Sequence, residues 1–580
     1  RAVTMGRVLC FPGRRGWLAA LLALALAGCA TPRGADRATE AVRADGPELS
    51  GGQGRVREAF SPGGLPDGFG VAWCTNLYEA LEGQVRNRQV IDAGEQRLPG
   101  YPFLRSNRFL ASFAPDFSAQ LEAGKPADDG ERATRAAALL QTPAFRDWIG
   151  RLQQLDTHVR RLEVNRLPDE SFPLYHLPNR MQLEDSLSRC APLMAAHLTP
   201  ADVPRVLQQA VVPDEYRRSL RALGLYPLTG IGVASSIRNW EADQRRVFRS
   251  ERRPSLSGRA SFQRYRPAQQ ISGADAWRTA AQIMRDVPRD ALGIPQFSAA
   301  QRELLFVAFA PTWEVATTTD SDRIGRLQWI DLAGLVRDPD ERFWLDVDTN
   351  VPVVYQRLAF TRFGDAVLPQ LEYLVWFSDR PMQGSGDLQG GRLDGLIWRV
   401  TLDTDGAPLI YDTIQPSGRY AMFFPTRRLQ VDRTAQEAVE SLAEWVYSPI
   451  DTAIEDWVGE TWPGPLTLWV SSGTHQLVGV SRPGRNWGSP VFDNPPYRLE
   501  SSDMLRALPV PGGVARSIYN QDGVVSGTER LGRLLFWAMG VSNVGAMRQS
   551  GHQPTALVGR RHFDDAWLFD KRYVRVPVKR

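Results

Sequence analysis

The chain reads as a mixed α+β protein, an N-terminal α-helical domain over residues 69–300 followed by a mainly antiparallel β domain over 301–580, a sheet or sandwich with a few helices. Three observations predict this. Before residue 300, apolar residues recur at spacings of three and four. After it come short runs of Val, Ile, Tyr, Phe and Trp bounded by Gly, Pro and Asp. And 580 residues with 43% apolar content can bury more than one core.

In the first half, Val71, Cys74, Leu77, Leu81 and Val85 share one stripe, and Phe145, Trp148, Ile149, Leu152, Leu155, Val159 and Leu162 form a longer one. Thr142-Pro143 supplies the N-cap and first-turn proline for that second helix. Leu183 to Leu198 continues the pattern, with Pro192 expected to kink or interrupt it. Thr199-Pro200 opens another helix, and Pro213 opens one that Gly224 closes. In the second half the expected strands are Leu304–Ala310, Val351–Phe360, Leu371–Ser378, Leu393–Leu402, Leu409–Ile414, Tyr420–Phe424, Leu466–Val470 and Gln476–Ser481. The plainest hairpin turns at Asp403-Thr404-Asp405-Gly406, where glycine admits positive φ. Two helices are expected among these strands, over Ala435–Tyr447 and Thr528–Met539.

The start of the chain has a different character. Met5, read here as the start, precedes Arg7, Arg14 and Arg15, then the unbroken apolar run of 11 residues Trp17–Ala27. A run this short does not cross a bilayer, which takes about 20 residues, but fits the core of a cleaved export signal. It closes on Leu26-Ala27-Gly28-Cys29, which resembles the lipobox of bacterial lipoprotein precursors. The resemblance covers residues 5–29 and implies a signal peptide ending at a diacylglyceryl-modified Cys29, which anchors the mature protein to the membrane. Ala30 and Thr31, rather than Asp, follow the cysteine, so the outer membrane facing the periplasm is expected over the inner. Residues 30–68 hold almost no large apolar side chains and read as a disordered tether. Its expected reach is about 30–40 Å.

Charge removes one class of partner. Of 69 basic residues, four arginines precede Cys29, which leaves 65 basic against 65 acidic in the mature chain. A nucleic-acid binder would carry a strong basic excess, so no nucleic-acid partner is expected. Cys74 and Cys190 remain after Cys10 and Cys29 are set aside, and stand either as a disulfide or as two buried thiols on helical faces.

Several catalytic signatures are absent: no Walker A loop, G-x-S-x-G, H-E-x-x-H or C-x-x-C occurs. Asp346-Val347-Asp348-Thr349-Asn350 begins like a calcium loop, but Val351 and Arg357 replace its glycine and its closing glutamate. No metal site and no cofactor is implied. What remains is a C-terminal group of His475, His552, His562 and Asp564, imidazoles and a carboxylate of the kind that form a general base or line a pocket. Tryptophan is concentrated in the same half, with Trp376 and Trp398 read as core. The expectation is therefore a lipid-anchored envelope protein, a non-catalytic binding or structural module for an envelope protein or glycan. The alternative is an envelope hydrolase or transferase using the C-terminal His/Asp group.

Overall fold

The computed structural model describes residues 69–576 apart from 125–127, 215, 250–260, 272, 334–341, 385–386, 433–465, 482–490 and 556–561. Cys29, the expected signal and tether, and the helix expected over Ala435–Tyr447 lie outside the described residues. The chain is a mixed α+β protein.

Helices dominate up to residue 249, and their local causes are those read from sequence. Helix Pro143–Asn165 begins where the Thr142 hydroxyl accepts from the Phe145 N–H at 3.3 Å. Its apolar stripe, with Phe145, Trp148, Leu152 and Val159, is buried. Helices Val71–Asn87 and Arg180–Ala196 are joined by a Cys74–Cys190 disulfide, and the second runs unbroken through Pro192. A small hairpin, Gln96–Leu98 with Tyr101–Ser106, is inserted among these helices and packs on Pro143–Asn165. Nothing in its short, arginine-bearing sequence sets it apart from a loop. The helical core is completed from far along the chain, by Ile294, Val367 and Ala566.

Two sheets organise the rest. In the six-stranded sheet the spatial order is Met422–Pro425, Pro408–Ile414, Gly391–Leu402, Ala366–Arg380, Val353–Phe363 and Arg498–Ser501. All neighbours are antiparallel except the last pair. Its turn glycine, Gly406, sits at φ +85° and also lies so close to Ala280 that a Cβ would meet that backbone at 2.7 Å. The five-stranded sheet is mixed and takes its strand Ser261–Tyr265 from before residue 300, paired antiparallel with Thr312–Thr317. One apolar core joins both sheets to helices Gly273–Asp286 and Ala299–Phe309.

The structure corrects two expected elements. Leu304–Ala310 is not a strand but part of helix Ala299–Phe309. Ser298 and Gln301 form a reciprocal capping box, with bonds of 3.2 and 2.9 Å, and Leu305 to Phe309 are buried on nearly every face. The second half of this helix, buried all round, leaves the continuous apolar run of a buried strand. The helix expected over Thr528–Met539 shrinks to one turn, Arg533–Phe536, and a 3-10 turn, Trp537–Met539. Leu531, Leu534 and Leu535 are exposed, so no buried face supports more helix, and Gly540 at φ +93° ends it. The calcium-like segment is strand Phe343–Asp348 and an Asx turn, Asp348 accepting from the Asn350 N–H at 3.1 Å. Among the described residues, no group of side chains could hold a metal ion and no helix is long and apolar enough to cross a membrane.

Candidate functional site

The sequence-predicted residues fall in different places. His475 sits in the loop Ser471–Gln476 between strands Thr467–Val470 and Leu477–Ser481, at φ +46°, a left-handed conformation that strains a non-glycine residue. That backbone turns the ring inward. Its imidazole is 0% exposed, stacked on Phe377 at 4.0 Å, with Nε2 3.2 Å from Asp322 and Nδ1 3.1 Å from Asp394. Burial would lower its pKa, but hydrogen bonds to the two carboxylates outweigh burial and raise it. Burial pushes the Asp322 carboxyl up, and His475 together with the backbone N–H groups of Thr318 and Gly473 drives it well below the carboxylate range. Asp394 is likewise lowered, burial being overcome by His475. The result is an imidazole clamped between two carboxylates, a setting that favours its charged form. The adjacent Ser472 hydroxyl bonds to Asp322 at 3.0 Å, leaving no serine–histidine pair of the nucleophilic kind.

The other three have separate partners. His552 Nε2 meets the Ala93 carbonyl at 2.7 Å, tying the C-terminal segment to the helical cluster. His562 is buried and bridges in backbone to Pro554. Asp564 accepts from the Arg108 guanidinium at 3.2 Å.

A cleft lies elsewhere, on the seam between helix Pro143–Asn165, helix Ala299–Phe309 and the parallel edge of the six-stranded sheet. It holds about 820 Å³, within the range of small-ligand pockets, and none of His475, His552, His562 and Asp564 lines it. On one wall His158 Nε2 lies 3.1 Å from Asp503. The bond to Asp503 raises the His158 pKa against opposing burial, while the Asp503 carboxyl, pushed up by burial, is brought down by His158. Asp503 also neighbours Arg506 at 3.5 Å, and Arg506 reaches back to Asp92 at 2.7 Å and to Glu95. Arg357 projects from strand Val353–Phe363 and is held by Glu372 at 2.8 and 3.1 Å. Arg302 and Arg498 also line the cleft, and neither side chain has a hydrogen-bond or ion-pair partner among the described residues. The lining sets Arg302, Arg357, Arg498 and Arg506 against Glu95, Glu303 and Asp503, and its two uncommitted guanidinium forks suit carboxylate or phosphate groups.

His158 lies within the amphipathic run Phe145–Leu162, and the sequence marks neither it nor Asp503, Arg302 and Arg498, because the seam joins segments far apart in the chain. Asp322 and Asp394 were equally unmarked. The one available signal was His158 on a helix whose remaining stripe is apolar. Comparison of the chain with protein-family models, with curated proteins and with solved structures finds no match.

Proposed function

We propose that the protein is a lipid-anchored component of the cell envelope, held through Cys29 and facing the periplasm, whose folded part is a non-catalytic binding module. In this reading an N-terminal helical unit and a C-terminal β-rich unit meet at the seam, and the cleft there receives an anionic envelope ligand, a carboxylate- or phosphate-bearing glycan or peptide. The observation that carries it is the pair Arg302 and Arg498, cations lining a cleft without partners among the described residues. The lipobox resemblance supports the location. The alternative, a hydrolase or transferase built on the C-terminal histidines, has less support: His475 is sealed from solvent, and His552 and Asp564 are committed to the helical cluster.

Calorimetric titration of the purified chain with inorganic phosphate and with citrate tests the cleft. Binding should occur and should fall at least about tenfold, the worth of one charge-assisted contact, in the Arg302→Ala, Arg498→Ala double variant. Equal binding by that variant would remove the cleft from the proposal. Fatty-acid labelling and fractionation test the anchor separately, since Cys29→Ala should lose both label and membrane association.

A further inference from the structure

Away from the cleft, two stretches of chain far apart in sequence bring exposed apolar side chains together. Helix Arg218–Leu223 and the start of helix Tyr226–Arg249 pack on the 3-10 turn Trp537–Met539. The Arg217 N–H donates to the Gly540 carbonyl at 2.7 Å, Tyr216 bridges in backbone to Val541, and Gly224 lies against Ala538 so closely that a Cβ would stand 2.3 Å away. The junction is thus tightly built. Yet it presents Leu223, Leu225, Ile231, Leu531, Leu534 and Leu535 to solvent at 52–74% exposure.

Single exposed leucines are ordinary, but six large aliphatic side chains exposed on two adjoining segments are more than scatter and point to an interaction surface. Its rim decides the partner. Arg217, Arg218 and Arg533 are exposed beside these leucines, and none has a side-chain partner among the described residues. Their nearest sequence neighbours of opposite sign are Glu215, next to Asp214, and Glu529. Large aliphatic side chains fringed by arginine match a bilayer interface, where acyl chains accept the leucines and anionic headgroups the guanidiniums.

We infer that this patch docks the folded body onto an anionic phospholipid surface. The length of chain before the body agrees: 39 residues separate Cys29 from Phe69, a span with an expected reach of about 30–40 Å. A body so close to a surface pays little entropy to touch it, because the tether raises its effective concentration there. The inference leans on the anchor reading only for the presence of a nearby membrane. The patch itself is independent of Cys29 and of the cleft.

The test uses the chain from residue 29 onward with Cys29→Ser, the mature form without its lipid, co-sedimented with vesicles. The unlipidated chain should bind mixed phosphatidylglycerol–phosphatidylcholine vesicles and should bind pure phosphatidylcholine vesicles less. Leu534→Ser with Leu535→Ser should weaken binding at least about tenfold, as expected for withdrawing two leucines from an apolar phase. Arg217→Ala, Arg218→Ala and Arg533→Ala together should abolish the preference for phosphatidylglycerol. All of these side chains are exposed, so unchanged thermal melting is the folding control. No vesicle binding by the unlipidated chain, or binding indifferent to the leucine pair, overturns the inference. So does a concentration-dependent dimer that the leucine variant dissolves, which would assign the patch to a second copy. Failure of the anchor reading shows differently, as missing fatty-acid label on the wild-type protein.

Discussion

His475 and His158 are both hydrogen-bonded to aspartate at nearly the same distance, 3.1 Å at the shortest in each case, and both have raised pKa values. Their surroundings are opposite. His475 has a second aspartate, a stacked phenylalanine and no solvent, whereas His158 keeps 43% of its side chain exposed on the wall of a cleft beside uncommitted arginines. The comparison teaches that a histidine–aspartate pair with a displaced pKa does not by itself mark a functional site, since buried ion networks displace pKa values just as strongly. Solvent access and neighbours without partners separate the two.

The largest effect should come from the sealed pair. His475→Ala leaves two buried carboxylates without their shared cation and should cost about 3–5 kcal/mol, the penalty for breaking a buried ion pair. Denaturant unfolding measures it, and a loss below about 1 kcal/mol would dissolve the distinction drawn here.

Next is the disulfide, which cross-links the helical cluster that carries His158 and spans 116 positions. Cys74→Ser with Cys190→Ser should cost about 2–5 kcal/mol. Hydrogen exchange should place most of that loss in helices Val71–Asn87 and Arg180–Ala196 rather than around His475.

The pH profile sharpens the contrast further. A folded pKa raised above the unfolded value of about 6.5 gives His475 a stabilising contribution that is complete below that pH and fades as pH rises through the folded value. The lowered pKa values of Asp322 and Asp394 contribute above about 3.9 and fade as pH falls through their folded values. The stability difference between wild type and His475→Gln should therefore be widest between about pH 4 and 6.5 and should narrow in alkali. A difference that grows with pH would reverse the assignment of charge.

The smallest stability effect belongs to His158. Its pair is solvent-screened, so His158→Ala should shift stability by no more than about 1 kcal/mol. Anion binding in the cleft should nevertheless weaken, most visibly below neutral pH where His158 is cationic. Unchanged titration with phosphate would leave His158 as surface decoration.

How much of this was legible in the sequence depends on range. Helix Pro143–Asn165 and the hairpin around Gly406 were plain, because Thr142, Pro143 and Gly406 act within a few residues of themselves. Helix Ala299–Phe309 was obscured by the unbroken burial of Leu305–Phe309, even though Ser298 and Gln301 spell out its cap. His475 was visible as a candidate, but its partners come from positions 322 and 394 and its buried setting is a product of tertiary packing. The cleft was illegible for the same reason: Arg302, Arg498, His158 and Asp503 acquire a common address only once the seam closes.

Arg506 adds a dimension of time to that seam. It neutralises Asp92, a buried carboxylate 414 positions earlier, while Ala566 fills the helical core from still further along. Asp92 meets Arg166 early, at 3.2 Å, but the closer guanidinium of Arg506, at 2.7 Å, lies beyond most of the β-rich stretch. The helical cluster is thus complete only when the end of the chain is present, and a truncation before residue 506 removes contacts from helices more than 300 positions earlier.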